Sequence, residues 1–119
     1  MRNRVKLPWP AVGLWPNNLA TNRGHLASLK RKAHDDGYWS AYYNKPDLPE
    51  TGEIPIKIIA TPPSRRTDDD NLIAALKKYR DGMAEALGVN DDRFRVKGVE
   101  FNKPEKPGHV IIDFLEVGE

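Results

Sequence analysis

The stretch IPIKIIATPPSRRTDDDNLIAALKKYRDGMAEALG, residues 54–88, places a strand, a turn and a helix in direct succession. Every second position from Ile54 to Ile58 is isoleucine, the pattern of a strand that buries one face. Pro55 predicts that the strand begins at an edge of its sheet, because proline cannot donate to the strand ladder. A proline pair starting at Pro62 ends the strand.

The helix predicted after this turn has one apolar side. Thr67, with Asp70 three residues later, resembles the capping box that opens many helices. Gly82 inside the helix costs about 1 kcal/mol relative to alanine, and Gly88 ends the helix. The apolar residues follow one another at helical spacing: Leu72, Leu76, Tyr79, Met83 and Leu87.

The sequence before this stretch predicts one strand and one helix. Residues 4–9 alternate polar and apolar before reaching prolines, which indicates a short edge strand. A long loop then runs from about Pro10 to Arg23. Helical spacing begins at His25, and Gly37 either stops or weakens this helix, which leaves its end uncertain.

The sequence after this stretch predicts two more strands. Residues 93–101 alternate, but the alternation changes phase around Gly98, which predicts a β-bulge. Residues 109–117 form the last strand. The order β-α-β-α-β-β therefore predicts the α+β class, with a small mixed β-sheet packed with two helices.

Length and composition indicate one domain over residues 1–119. The absence of cysteine excludes disulfides and thiolate chemistry, and it indicates a reducing compartment. No run of about 18 apolar residues occurs, so we expect a cytoplasmic protein without a membrane span. The net charge of +2 is too small to indicate a polyanion partner by itself.

Asp68, Asp69 and Asp70 form an acidic run at the predicted start of the helix. Mg²⁺ takes oxygen ligands, and about one to three carboxylates plus a substrate phosphate complete its shell. Asp68 and Asp70 can share a cation only if the chain is extended at Asp68, because residues two apart diverge inside a helix. The alternative is that these carboxylates only cap the helix. A second acidic pair, Asp91 and Asp92, follows the helix.

These features together resemble the RusA family of Holliday junction resolvases. The resemblance lies in RRTDDDNL, residues 65–72, followed by a helix and the Asp91–Asp92 pair, and in LPWP, residues 7–10, with Asn17, Asn18 and Arg23 after it. It covers most of the chain in the right order. We therefore expect the family's activity and metal site here.

The resemblance implies a homodimeric, Mg²⁺-dependent endonuclease, with Mn²⁺ as a possible substitute, that cuts four-way DNA junctions in recombination and repair. Such enzymes are often carried by phages, so the resemblance implies the cytoplasm of a bacterium or a phage-infected host. Asp68, Asp70 and Asp92 match the three metal ligands, with Asp91 as the alternative to Asp92. The implied DNA-binding residues are Arg23, Arg65, Arg66 and Lys78.

The sequence departs from the family pattern at its lysine. The place one helical turn beyond Asp70 is Ala74. Lys77 lies seven residues from Asp70, about 20° away around the helix, whereas Lys78 is about 80° away. We expect Lys77 to be the catalytic lysine.

Two other functions remain open: a noncatalytic nucleic-acid-binding protein of the same fold, and a structural domain whose aspartates only cap. Aromatic residues are relevant to the nucleic-acid-binding function, because aromatic rings can stack on unpaired bases. The alternative is that these residues pack in the core or in a dimer. They are Trp9, Trp15, Tyr38, Trp39, Tyr42 and Tyr43.

Overall fold

The computed structural model describes residues 3–65 and 68–116. The elements are β1 (Arg4–Pro8), α1 (Arg23–Asn44), β2 (Ile54–Thr61), α2 (Asp69–Ala75), α3 (Lys77–Leu87), β3 (Phe94–Phe101) and β4 (His109–Phe114). The predicted α+β class is confirmed. The second predicted helix is divided into α2 and α3, so the described residues form three helices rather than two.

The four strands form one mixed sheet in the order β1-β4-β2-β3. β4 runs antiparallel to both β1 and β2, and β2 runs parallel to β3. β1 is an edge strand, as predicted. β2 lies inside the sheet, but its register with β4 begins at Ile56, so Ile54 and Pro55 pair with β3 alone, as expected of a strand whose beginning lies at an edge. The Pro55 carbonyl accepts a hydrogen bond from the Leu115 N–H at 3.0 Å, so this position lacks only the donor that proline cannot supply.

The predicted β-bulge is confirmed in β3. Ile56 faces Val96 across the strand pair, and the next residue, Lys57, faces Gly98. Lys97 is therefore one residue extra on β3. The bulge returns the residues beyond it to register, so that Val99 faces Ile58.

The core lies between the helices and one face of the sheet. Val5, Ile56 and Ile112 on three neighbouring strands are fully buried and belong to one cluster with Leu72 and Met83 of the helices. The opposite face of the sheet carries charged pairs between strands instead. Arg4 of β1 pairs with Asp113 of β4 at 3.4 Å, and Lys57 of β2 pairs with Glu100 of β3 at 2.8 Å.

α1 and α3 cross at a point where both helices carry a buried glycine. A Cβ added at Gly37 of α1 would overlap the backbone carbonyl of Tyr79, and one at Gly82 of α3 would overlap the carbonyl of His34. Because backbone meets backbone, neither position has room for alanine. Gly37 therefore permits this packing and does not end α1, whose last residue is Asn44. α1 begins at Arg23, where the Asn22 side chain accepts a hydrogen bond from the His25 N–H at 2.9 Å.

The long helical segment is broken at Leu76, between α2 and α3. The Leu76 N–H is shared between the carbonyls of Leu72, at 3.1 Å, and Ile73, at 3.2 Å. The Arg80 guanidinium also donates to the Ile73 carbonyl, at 3.1 Å. The Arg80 side chain thus takes part in the hydrogen bonding of the helical segment at the point where that segment is interrupted.

Candidate functional site

Asp68 is the N-cap of α2, one residue beyond the predicted cap at Thr67, which lies outside the described residues. Its backbone is extended, with φ −72° and ψ 136°. Its Oδ1 accepts hydrogen bonds from the N–H groups of Asp70, at 2.8 Å, and Asn71, at 3.3 Å. Both bonds use the same oxygen, so Oδ2 of this exposed residue is directed to neither amide.

The acidic run does not form a compact cluster with the second acidic pair. Within residues 3–65 and 68–116, no three Asp, Glu or His side chains are grouped closely enough to hold a metal ion. The predicted ligands Asp68, Asp70 and Asp92 are therefore not brought together as a set. At the start of α2, Asp68 caps the helix and has an extended backbone. This is the backbone conformation that Asp68 needs in order to share a cation with Asp70.

Lys77, the predicted catalytic lysine, bridges two carboxylates. Its Nζ donates to Asp91 Oδ2 at 2.6 Å and to Asp81 Oδ1 at 2.8 Å. Lys78 lies 3.6 Å from the other oxygen of Asp81. The structure thus joins Lys77 to Asp91, the alternative third ligand, and not to the acidic run.

The charges in this group stabilise one another. The hydrogen bond from Lys77, with a contribution from Asp81, holds the pKa of Asp91 below its ordinary value. The hydrogen bonds to Asp81 and Asp91 raise the pKa of Lys77. Burial lowers the pKa of Arg80, and Asp81 and Asp91 oppose this effect. Lys77 is therefore fully protonated at neutral pH and serves there as a fixed cation.

Asp92 lies in the short 3₁₀ turn Asp91–Arg93 that leads into β3. Its N–H donates to Asn90 Oδ1 at 3.1 Å, and its carbonyl accepts from the Arg95 guanidinium. These bonds fix its backbone and leave its carboxylate exposed. Asp91 and Asp92 thus differ: the Asp91 carboxylate is paired with Lys77, whereas the Asp92 carboxylate is not.

The predicted DNA-binding residues occupy separate places. Arg23 is the first residue of α1 and is exposed. Arg65 is exposed in the segment between β2 and α2, and Lys78 is half-buried on α3 beside Asp81. Arg66 lies outside the described residues. Arg65 is the described basic residue nearest in sequence to Asp68.

A cleft of about 410 Å³ separates the loop after β1 from the segment after β2. Trp9, Asn17, Asn18, Ser64 and Arg65 are among its lining residues. The predicted long loop is more ordered than its composition indicates, since it contains two 3₁₀ turns, Val12–Leu14 and Pro16–Asn18. The cleft therefore has defined walls.

Aromatic side chains also form a surface patch on the C-terminal half of α1. Trp39 is 50% exposed and Tyr43 is 74% exposed, with ring centroids 5.9 Å apart. Tyr42 packs edge-on against both, at 5.4 Å from each. Trp15, in contrast, is 8% exposed and donates its indole N–H to the Pro10 carbonyl at 3.2 Å, so it packs in the core.

Sequence reasoning missed Asp81 and Ser64. Asp81 had a usable signal, because Lys77 and Asp81 are four residues apart on a predicted helix and such pairs face each other. Ser64 had none, since its place in the cleft depends on how the loop after β1 folds back toward the segment after β2.

Comparisons with known proteins place the chain in a family. No protein-family model matches it. It is 34% identical over 119 residues to an uncharacterized protein of Xylella fastidiosa strain Temecula1, and the match covers 91% of this chain and 72% of that protein. The chain therefore belongs to the same family as the Xylella protein. Within the part of the chain that the structure describes, no helix is long and apolar enough to span a membrane.

Proposed function

We propose that this protein is a Mg²⁺-dependent, structure-selective endodeoxyribonuclease that cuts four-way DNA junctions in the cytoplasm of a bacterium or phage-infected cell. Asp68 and Asp70 hold the cation in this proposal, with Mn²⁺ as a substitute, and Asp92 is the third ligand. The observation that carries it is the extended, exposed Asp68 at the start of α2.

The chemistry of the donor atoms supports the choice of cation. Asp68 Oδ2 and the exposed Asp70 carboxylate are hard oxygen donors, the type that Mg²⁺ prefers. Since Mg²⁺ keeps several waters and binds substrate phosphate, the protein need not supply a complete ligand set before DNA binds. When bound, the ion supplies charge that activates water for attack and offsets charge on the phosphate.

The ion pair of Lys77 supports Asp92 over Asp91 as the third ligand. A cation that binds Asp91 must displace an ammonium group whose Nζ lies 2.6 Å from its carboxylate. The Asp92 carboxylate has no partner among residues 3–65 and 68–116. Lys77 then acts as a fixed positive charge that attracts the phosphate backbone and stabilises charge developing during cleavage.

A noncatalytic nucleic-acid-binding protein is the second candidate. The observation that favours it is that the described Asp, Glu and His side chains form no group of three or more that could hold a metal ion. Arg65 and Arg23 would contact phosphates in either case, because both are exposed guanidinium groups.

A homodimer forms part of the proposal, since a two-fold junction cut at two symmetric places calls for a two-fold protein. The aromatic patch on α1 is the surface we assign to the interface. Trp39, Tyr42 and Tyr43 expose roughly 300 Å² between them, enough for the centre of an interface that covers about 800 Å² per partner. Sedimentation of a Tyr43→Glu variant tests this assignment, and a dimer that persists unchanged contradicts it.

Cleavage of a labelled four-way junction tests the enzymatic function. We expect nicking in Mg²⁺ or Mn²⁺, none in EDTA, and a loss of about 100-fold or more in Asp70→Asn. Glu50→Gln, at an exposed acidic residue outside both acidic groups, is the control and should cleave normally. Metal-independent binding without nicking would support the noncatalytic candidate. Absence of binding to junction and duplex at low salt would contradict both.

A further inference from the structure

The walls of the cleft beside the segment after β2 carry different kinds of chemical group. Trp9 presents an indole ring, Asn17 and Asn18 present amides, and Arg65 presents a guanidinium group. Its volume of about 410 Å³ falls in the range of small-ligand sites. An aromatic ring, amides and a cation are the groups that hold a nucleotide: rings stack on bases, amides bond base edges, and guanidinium binds phosphate.

The aromatic wall is held in place before any ligand binds. Trp15 also lines the cleft and packs against Trp9, with ring centroids 5.6 Å apart, and its indole N–H is fixed on the Pro10 carbonyl. The Ala20 N–H donates to the Gly13 carbonyl at 3.0 Å, which closes the loop behind these rings. One face of Trp9 is thus packed, and its partial exposure leaves the other side for a ligand.

The polar wall has hydrogen-bonding groups available. Within residues 3–65 and 68–116, the side chains of Asn17, Asn18 and Arg65 have no hydrogen-bond or ion-pair partner. All three are exposed, so binding a ligand replaces water and breaks no bond within the protein.

We propose that this cleft binds one unpaired nucleotide of a DNA strand. The base stacks on Trp9, Asn17 and Asn18 bond its edge, and Arg65 binds an adjoining phosphate. This inference rests on the proposed function for the identity of the ligand as DNA. It adds that the protein recognises a base outside the double helix, which a fully paired duplex does not offer.

The position of the cleft fits that role. Arg65 precedes Asp68 by three residues, so their Cα atoms lie within about 11 Å of each other. A strand held at Arg65 therefore passes close to the carboxylates proposed to hold the cation. Binding of the nucleotide orients the phosphate that follows it.

Fluorescence titration in EDTA tests the inference without requiring cleavage. The protein carries Trp39→Phe, which leaves Trp9 and Trp15 as its only tryptophans. The probes are a ten-residue oligothymidylate and an abasic phosphodiester of the same length. We expect the oligothymidylate to quench the fluorescence at low salt and to bind more tightly than the abasic chain, because only it has bases to stack.

Substitutions separate the base from the phosphate. Trp9→Leu should weaken oligothymidylate binding about tenfold and leave the abasic chain unaffected, a comparison followed by anisotropy of labelled probes. Arg65→Gln should weaken both probes and reduce the salt slope by about 0.7. Arg65 is exposed, so this variant remains informative if Trp9→Leu does not fold. Leu19→Ala, at an exposed apolar residue that does not line the cleft, is the control and should change neither affinity.

The outcomes distinguish this inference from the proposed nuclease. If the protein nicks the junction but does not bind the oligothymidylate, the proposed nucleotide-binding role of the cleft is contradicted and the proposed nuclease function is not. Binding that depends on Trp9, without nicking, supports the cleft and contradicts the nuclease. Equal affinity of Trp9→Leu and its parent overturns the inference, as does a Trp9→Leu variant that changes only the oligomeric state.

Discussion

α2 and α3 continue one another in sequence, but they are held in different ways. α3 packs against α1 with Gly82 against the backbone of His34, so its position is fixed by contacts that tolerate no added atom. The N-terminus of α2 is held by the Asp68 cap and by packing against the 3₁₀ turn Pro16–Asn18.

The carboxylates beside α2 and α3 also differ in the groups to which they are bonded. Asp81 and Asp91 share Lys77, which neutralises part of their charge. Among residues 3–65 and 68–116, the Asp68 side chain bonds to backbone amides of its own helix alone, and such bonds leave its charge in place. Acidic residues at the two ends of one segment can therefore serve different purposes: structure beside α3, and cation binding at α2 in our proposal.

The largest effect should come from removing the third proposed ligand. Asp92→Asn should reduce junction nicking about 100- to 1000-fold, because it removes charge that would hold the cation. Asp91→Asn should reduce it by about 10- to 100-fold, since it acts through Lys77. Nicking rates at saturating Mg²⁺ measure both. A greater loss in Asp91→Asn would reverse our choice of ligand.

Gly82→Ala should disturb the packing of α3 against α1. The added Cβ overlaps the His34 carbonyl, and the helices must separate to accept it, at a cost of about 3 kcal/mol in the free energy of unfolding. Urea denaturation followed by circular dichroism measures this change. Gly24→Ala, near the start of α1, is the control, because its Cβ meets nothing closer than 3.5 Å. Equal stability of the two variants would contradict the close crossing.

Asp68→Ala should destabilise the protein by about 1 kcal/mol, because it removes the acceptor for two amide groups. Asp68→Asn retains a capping oxygen and should unfold nearly as the parent does. Thermal unfolding compares the two. The same pair separates the cap from the proposed ligand, since nicking should fall sharply in both variants even though only one loses stability.

The smallest effect concerns pH. Lys77 holds the pKa of Asp91 below its ordinary value of 3.8, so the stability from this pair is present above that pH and is lost as pH falls through the lower folded value. Lys77→Met should move the pKa of Asp91 upward. Carboxyl NMR titration measures the shift, with Glu100, whose pKa is held down by its hydrogen bond to Lys57, as an internal reference. An unchanged Asp91 pKa would contradict the ion pair.

Sequence periodicity predicted the α+β class, the edge position of β1 and the bulge in β3, because each depends on which residues are buried along one element. It did not predict the contacts made by Pro55 and Gly37. Those two positions depend on neighbours distant in sequence: the chain after β4 supplies a donor to the Pro55 carbonyl, and Tyr79 occupies the space beside Gly37.

The candidate site was only partly predictable for the same reason. Spacing on one helix could pair Lys77 with Asp81, but the contact with Asp91 requires the turn after α3 to fold back. The cleft depends on two segments that are about 50 residues apart in sequence, with Trp9 on one side and Arg65 on the other. No local pattern brings such residues together.

The bulge in β3 has a consequence for how the family can vary in length. Lys97 is the extra residue, and without it Val96 and Val99 would stand two positions apart, as in a strand that has no bulge. A relative that lacks one residue at this point should therefore keep the same apolar face, as should one with a gap in the turn of residues 102–108. A gap of one residue in the regular part of β2 would instead turn the residues beyond it to the other face of the sheet.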